Sequence, residues 1–329
     1  MIQLFILFVA TGLQQTGRSD TSFAGPGGSL AGTLVRNGID LTVFDLDAAL
    51  VDSFVQRGAK SGASAADLMR HCDVVITCLP SPKASAAVLD AMLPEVRDGK
   101  TWIEMSTTDA TKIGDQCASV VARGGRAAEC PVSGGVHRAA TGNISVFAGC
   151  DRETFDHVLP LLTILGRRVL HTGAVGTAST LKVMTNYLAT ANLLTLCEAL
   201  TTMAAAGMDL ATTYEAIKIS SGTSFTHETE SQLILSGSRN VHFPMDLVQK
   251  DIGLFQEIAE RHNVPLEISP LMIEIFNDAQ ARYGLRAQSD RVIERLEEAT
   301  GLKVLAPGFP EDLVDDEPEE RGYEVHPPR

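Results

Sequence analysis

Positive charge is in short supply: 27 Lys and Arg stand against 41 Asp and Glu, a formal net charge of −14. That balance argues against nucleic acid and against an anionic membrane surface as partners, because both are bound by cations that displace counterions. A CxxC pair is missing, and no cysteine has a histidine at ligand spacing, so the sequence offers neither a zinc site nor a disulfide framework. Cys72, Cys78, Cys117, Cys130, Cys150 and Cys197 read as reduced thiols in a cytoplasmic setting. Long apolar runs are also scarce. The opening MIQLFILFVA lacks the basic n-region of a secretory leader and reads as a buried first strand. The most apolar later stretch, Leu188 to Ala206, is broken by Thr, Asn and Glu, which argues against a membrane span. No internal repeat or low-complexity block is visible.

What is present is an alternation. Short β-branched runs predict strands over 41–45, 73–79, 100–105, 126–130, 143–149 and 167–171, separated by helical spacing over 47–57, 64–71, 83–93, 109–123 and 152–164. This pattern belongs to the α/β class, a Rossmann-type, doubly wound, mainly parallel sheet. After Gly173 the strand pattern stops. Gly176 to Gly207 predicts one long helix with so little charge that it must be buried between domains or subunits, and it points to a homodimer or homotetramer. Helical spacing continues over 209–219, 225–236, 245–263, 267–284 and 288–299. The expected domains are therefore 1–172, a Rossmann-like dinucleotide-binding domain with residues 1–30 atypical, and 173–300, an all-α domain joined to it by the long helix. Residues 301–329 form an acidic, proline-bearing tail expected to be extended or loosely attached.

Several short stretches carry chemistry. In CPVSGGVHRAATGN, Ser133, Gly134 and Gly135 offer a hydroxyl and unshielded N–H groups near a strand end, fit to hold a carboxylate, although SGG alone is more often a tight turn. The adjoining His137 and Arg138 read as solvated. Lys182 and Asn186, four apart in GAVGTASTLKVMTN, share one helix face. Burial beside Leu181, Val183 and Met184 would lower the ammonium pKa toward the range useful for proton transfer, whereas a snorkelling lysine is the bland alternative. Lys250 and Asp251 in LVQKDIGL would, from spacing alone, be an exposed pair. Leu79–Pro80 and Ser106–Thr107 follow strands whose ends line the crevice of a doubly wound sheet.

Taken in order, these motifs resemble the β-hydroxyacid dehydrogenase family, the group of 3-hydroxyisobutyrate dehydrogenase and tartronate semialdehyde reductase, from about Gly32 to about Glu298. The pattern of an acidic residue before PVSGG is met by Glu129 and Pro131 to Gly135, with the later Ala139 and Gly142. GxxG followed by lysine and asparagine is met by Gly173, Gly176, Lys182 and Asn186, and the KD pair by Lys250 and Asp251. The resemblance implies an active site between a Rossmann domain and a helical one. In it Lys182 exchanges the substrate's hydroxyl proton and Asn186 orients the reacting group. Ser133, Gly134 and Gly135 hold the carboxylate of a small hydroxy acid, and Leu79, Pro80, Thr107 and Lys250 lie near a nicotinamide nucleotide. No metal is required.

Two departures qualify the resemblance. Thr185 stands where decarboxylating relatives commonly carry histidine and many hydroxyacid relatives asparagine, which leaves the substrate open. Imine-reducing relatives usually lack the lysine, so Lys182 points to hydroxyacid chemistry. The second departure is SFAGPGGSLAG, Ser22 to Gly32. Counting back from Asp45, the three glycine positions of GxGxxG fall on Ser22, Ala24 and Gly27. Gly25 and Gly28 add freedom, and Gly25 with Gly27 are the remaining candidates for the cofactor loop, but Pro26 removes a donor. GLQQTG, Gly12 to Gly17, has the outer glycines alone and comes ten residues early. Weakened cofactor affinity is expected. Asp45 at the end of the second strand, with no Arg in the following DLDAA, favours NAD over NADP. The competing reading is a non-catalytic binding or assembly protein that keeps the fold with a degraded cofactor loop.

Overall fold

Strands form where apolar residues are continuous and helices where they recur at three and four, and in the computed structural model, which describes residues 4–8 and 25–328, the two alternate through the first half of the chain. The strands are β1 (Leu4–Phe8), β2 (Leu41–Phe44), β3 (Lys60–Ser61), β4 (Val74–Cys78), β5 (Thr101–Glu104), β6 (Arg126–Glu129), β7 (Val132–Ser133), β8 (Ile144–Gly149), β9 (Gly166–Gly173) and β10 (Tyr323–Val325). Among the described residues these make one sheet in the order β10-β9-β8-β6-β5-β4-β1-β2-β3, with β7 pairing antiparallel to β8. β1 lies between β2 and β4 and is parallel to both, so the winding reverses there, as in a dinucleotide-binding sheet.

Successive side chains of a strand serve opposite faces, and both faces are covered. Ile76, Ile103 and Ala128 join Leu30, Leu34 and Phe155 from the helices Gly25–Arg36 and Arg152–Leu165. Their neighbours Val75, Trp102 and Ala127 join Leu68, Leu89 and Ile113 from Ala65–His71, Pro82–Met92 and Ala110–Val121. Five helices of this unit start at side chains that accept from free backbone N–H groups: Asp47, Ser64, Ser81, Asp109 and Asp151. One short helix, Gly135–Thr141, begins where the glycine pattern suggests only a turn.

The chain divides into two compact units, residues 1–182 with 315–329, and residues 183–314. The second is helical. Leu210–Lys218, Phe225–Ser236, Met245–Arg261, Ile268–Tyr283 and Glu294–Thr300 enclose Leu193, Leu200, Ile252, Met272 and Phe276. The predicted long helix runs over Thr177–Ala205. Its polar interruptions do not disqualify it as a membrane span, since it is long and apolar enough to cross one. Leu193, Leu196, Cys197 and Leu200 sit in the core of the second unit, so core packing accounts for part of this apolarity, but only 33% of the most apolar window is buried within the chain, short of the burial the sequence predicts.

The tail departs from the expectation of loose attachment. Residues 315–328 return to the first unit, where β10 pairs parallel to β9 with Tyr323, Glu324 and Val325 opposite Arg168, Val169 and Leu170. Its acidic side chains meet arginines of that unit: Glu317 is 2.9 Å from Arg138 and Glu324 is 2.7 Å from Arg152. Asn143, fully buried, donates to Asp315 at 2.7 Å.

Candidate functional site

The C-terminal ends of β4 and β5 are tied together by a buried polar network. The Leu79 N–H donates to Ser106 Oγ at 2.7 Å, and the Ser106 N–H donates to Glu104 Oε1 at 2.8 Å. The hydroxyls of Ser106 and Ser85 also donate to this carboxylate. Burial pushes the Glu104 carboxyl above its ordinary pKa, and these donors pull it back. Pro80 and Thr107, half-buried, follow the two tied strands. Asp45 lies buried just after β2, where its carboxylate accepts from the Asp47 N–H at 2.8 Å.

A dinucleotide fits this edge in part. The reversal beside β1, the acidic residue after β2 and the buried Gly27 and Gly28 at the start of Gly25–Arg36 suit one. Pro26 does not, having no N–H to give. Gly25 has φ +87°, a conformation open to glycine. Ser22, Ala24 and GLQQTG lie outside the described residues.

Ser133 ends β7, and Gly134 and Gly135 follow with φ of +132° and +87°. A Cβ at Gly135 would come within 2.9 Å of the His137 ring, so only glycine leaves this backbone bare. Arg138 is not solvated as expected. Its side chain is 23% exposed and paired with Glu317 of the returning tail.

The lysine-bearing helix starts at the end of β6. Glu129 Oε1 accepts from the N–H of Gly176 at 2.6 Å and of Ala178 at 2.9 Å. Oε2 accepts from the Ser179 N–H at 3.2 Å and from the Ser179 hydroxyl. Burial raises the Glu129 carboxyl's pKa while these donors oppose the rise. Lys182, one turn further along, is 7% exposed.

In the second unit Asp251 is the hub. It is 2% exposed and takes the Asn186 amide at 2.5 Å and the Lys250 ammonium at 2.6 Å. The KD pair is therefore not the exposed ion pair that spacing alone suggests. Asp45, Leu79, Pro80, Thr107, the Ser133 to Gly135 turn and Lys182 lie in the first unit, Asn186 and Lys250 in the second. Sequence reasoning assigns no role to Glu104, Glu129 or Asp251. The signal for the first two is a carboxylate directly after an apolar pair at the end of a strand, in TWIE and RAAE.

Two family models together account for most of the chain. Residues 24–173 match the NAD binding domain of 6-phosphogluconate dehydrogenase, and residues 176–296 match the NAD-binding model of NADP-dependent 3-hydroxyisobutyrate dehydrogenase. The 2-(hydroxymethyl)glutarate dehydrogenase of Eubacterium barkeri is 28% identical over 282 residues, 84% of this chain and 94% of that protein. The cytokine-like nuclear factor N-PAC of Homo sapiens is 27% identical over 258 residues, 78% of this chain, which spans 47% of that longer protein. A crystal structure of 3-hydroxyisobutyrate dehydrogenase from Salmonella typhimurium has the same fold, with a TM-score of 0.78 at 22% identity over 89% of this chain and 99% of that one.

Proposed function

Because the chain belongs to the β-hydroxyacid dehydrogenase family, whose members are NAD(P)-dependent oxidoreductases, we propose that it moves a hydride between NAD and a small 3-hydroxy acid of the 3-hydroxyisobutyrate type, or the matching semialdehyde. The observation that carries this reading is a lysine 7% exposed, one turn after a helix start anchored to the strand end that leads into Ser133, Gly134 and Gly135.

The nicotinamide, when bound, takes up or gives the hydride at its C4. Ser133 Oγ and the N–H groups of Gly134 and Gly135 hold the substrate carboxylate. Lys182 Nζ takes the hydroxyl proton as the carbinol carbon is oxidised and returns it in the reverse direction, so no free alkoxide forms. Asn186, held by Asp251, orients the reacting oxygen, and Lys250, on the same carboxylate, is the second unit's candidate for a cofactor contact. Asp45 accepts from the ribose hydroxyls and repels a 2′-phosphate, which favours NAD. A second copy of the chain covers part of Thr177–Ala205, giving a homodimer or homotetramer, and sedimentation as a stable monomer would contradict this.

Replacing Lys182 with Ala is expected to lower turnover by about 10²- to 10⁴-fold while calorimetric titration still registers the nucleotide. Turnover at the wild-type rate would remove the lysine from the reaction. A screen of 3-hydroxy acids for NADH fluorescence identifies the substrate.

One observation favours a second reading, a non-catalytic binding or assembly protein: Pro26 stands in the first turn of the helix Gly25–Arg36, at a helix start without GxGxxG, in a chain also similar to N-PAC. Titration with NAD and NADP separates the two. Binding as tight as in a variant with GxGxxG restored supports the enzyme, and no binding supports the alternative.

A further inference from the structure

Glu129 is fully buried and its two oxygens gather four donors from one place, Gly176 to Ser179 at the start of the helix Thr177–Ala205. A carboxylate at a helix N-terminus meets both free N–H groups and the positive end of the helix dipole. Many such caps are exposed and serve only stability. This one is held from behind as well. Gly149 on β8 is its antiparallel register partner, and a Cβ at Gly149 would overlap the Glu129 carboxylate. Gly176, one of the donors, has φ +97°, and a Cβ there would lie 3.3 Å from the Ala110 carbonyl oxygen, so the approach of the helix is fixed by backbone on that side too.

Two consequences follow from chain order. Ser179, which gives Glu129 two of the four bonds, is three residues before Lys182, so the two are neighbours on the helix surface, about 4.5 Å apart along its axis. In the other direction, Glu129 is four residues before Ser133, with the fully buried Cys130 and the buried Pro131 between. One side chain thus joins the segment that holds the carboxylate to the helix that carries the amine.

We propose that Glu129 is a positioning residue that sets the register between Lys182 and the Ser133 to Gly135 clamp; this rests on the reading of Lys182 given above. Glu129 does not touch the substrate. It fixes where the lysine nitrogen stands relative to the clamp, and a displacement of about 1 Å at a reacting group costs on the order of 10²-fold in rate.

Glu129→Gln keeps the shape but turns an amide N–H toward backbone N–H donors. The expected result is a fall in kcat of about 10- to 100-fold with KM for the nucleotide held within about twofold. The labelling rate of Lys182 by acetic anhydride, followed by mass spectrometry, should change by about threefold or more, a readout that a purely stabilising cap would not move. Should Glu129→Gln fail to fold, Ser179→Ala removes a single donor and is expected to lower kcat about fivefold with the same labelling change. If kcat and labelling in the folded variants stay within about twofold of wild type, the proposal is overturned. If Lys182→Ala keeps full turnover, the catalytic reading fails by itself, and the labelling of Lys182 still decides whether Glu129 positions that amine.

Discussion

Glu104 and Glu129 in the first unit and Glu230 and Asp290 in the second are all carboxyl groups withdrawn from water, and the two pairs are provided for differently. Glu104 and Glu129 face each other across β5 and β6, and each is met by hydroxyl and N–H donors aimed at it. Glu230 Oε2 and both oxygens of Asp290 are buried with no hydrogen-bond partner among the described residues. Burial raises Glu230 to about 8, with the neighbouring Asp290 adding to the rise, and raises Asp290 to about 7, where the Arg239 guanidinium opposes the rise and Glu294 adds to it. Burial raises all four, but at Glu104 and Glu129 directed donors oppose the rise and tie the carboxyl to its surroundings.

The comparison can be broken at its strong end. Glu104→Ala leaves Ser85, Ser106 and the Ser106 N–H without their acceptor and is expected to cost about 3 kcal/mol in urea denaturation. A loss under about 1 kcal/mol would put Glu104 in the same class as Asp290. A smaller effect sharpens the weak end. Asp290 with a raised pKa stabilises the folded state while protonated; that contribution is complete below its ordinary value near 3.8 and is lost as pH climbs through about 7. Wild-type stability should therefore decline between pH 5 and pH 8.5, and Asp290→Asn should shrink that decline by about 1–2 kcal/mol. An unchanged pH slope would show that Asp290 is ionised throughout. The groups acting on this site are Arg239, Glu230, Glu294 and Cys197. The smallest effect is expected for Ser85→Ala, which takes one donor from Glu104 and should cost about 1 kcal/mol by the same denaturation.

The central strand VVITC was legible because it is a largely apolar, β-branched run too short for a helix and bounded by turn residues. The placing of Lys182 and Asn186 on one helix was legible for a related reason, since residues four apart on a helix share a face. The helix Gly135–Thr141 was not, because seven residues give no periodicity to read. Nor was the role of Asp251 or Glu129. Asp251 depends on Asn186, 65 residues away, and Glu129 on donors 47 to 50 residues away, and local pattern carries no trace of pairings at that range. The tail misled for the same reason. An acidic segment reads as solvated until the arginines awaiting it, such as Arg138, 179 residues before Glu317, are brought alongside.

That returning tail changes what kind of object the helical unit is. The backbone leaves the sheet-bearing body after residue 182 and re-enters it at 315, so the helices form an insertion with both ends moored in its host. A protease nick between 301 and 314 would cut one mooring yet release no fragment, since the severed piece stays on as the edge strand beside β9. Anything fused to the C-terminus hangs from the sheet-bearing body, not from the helices.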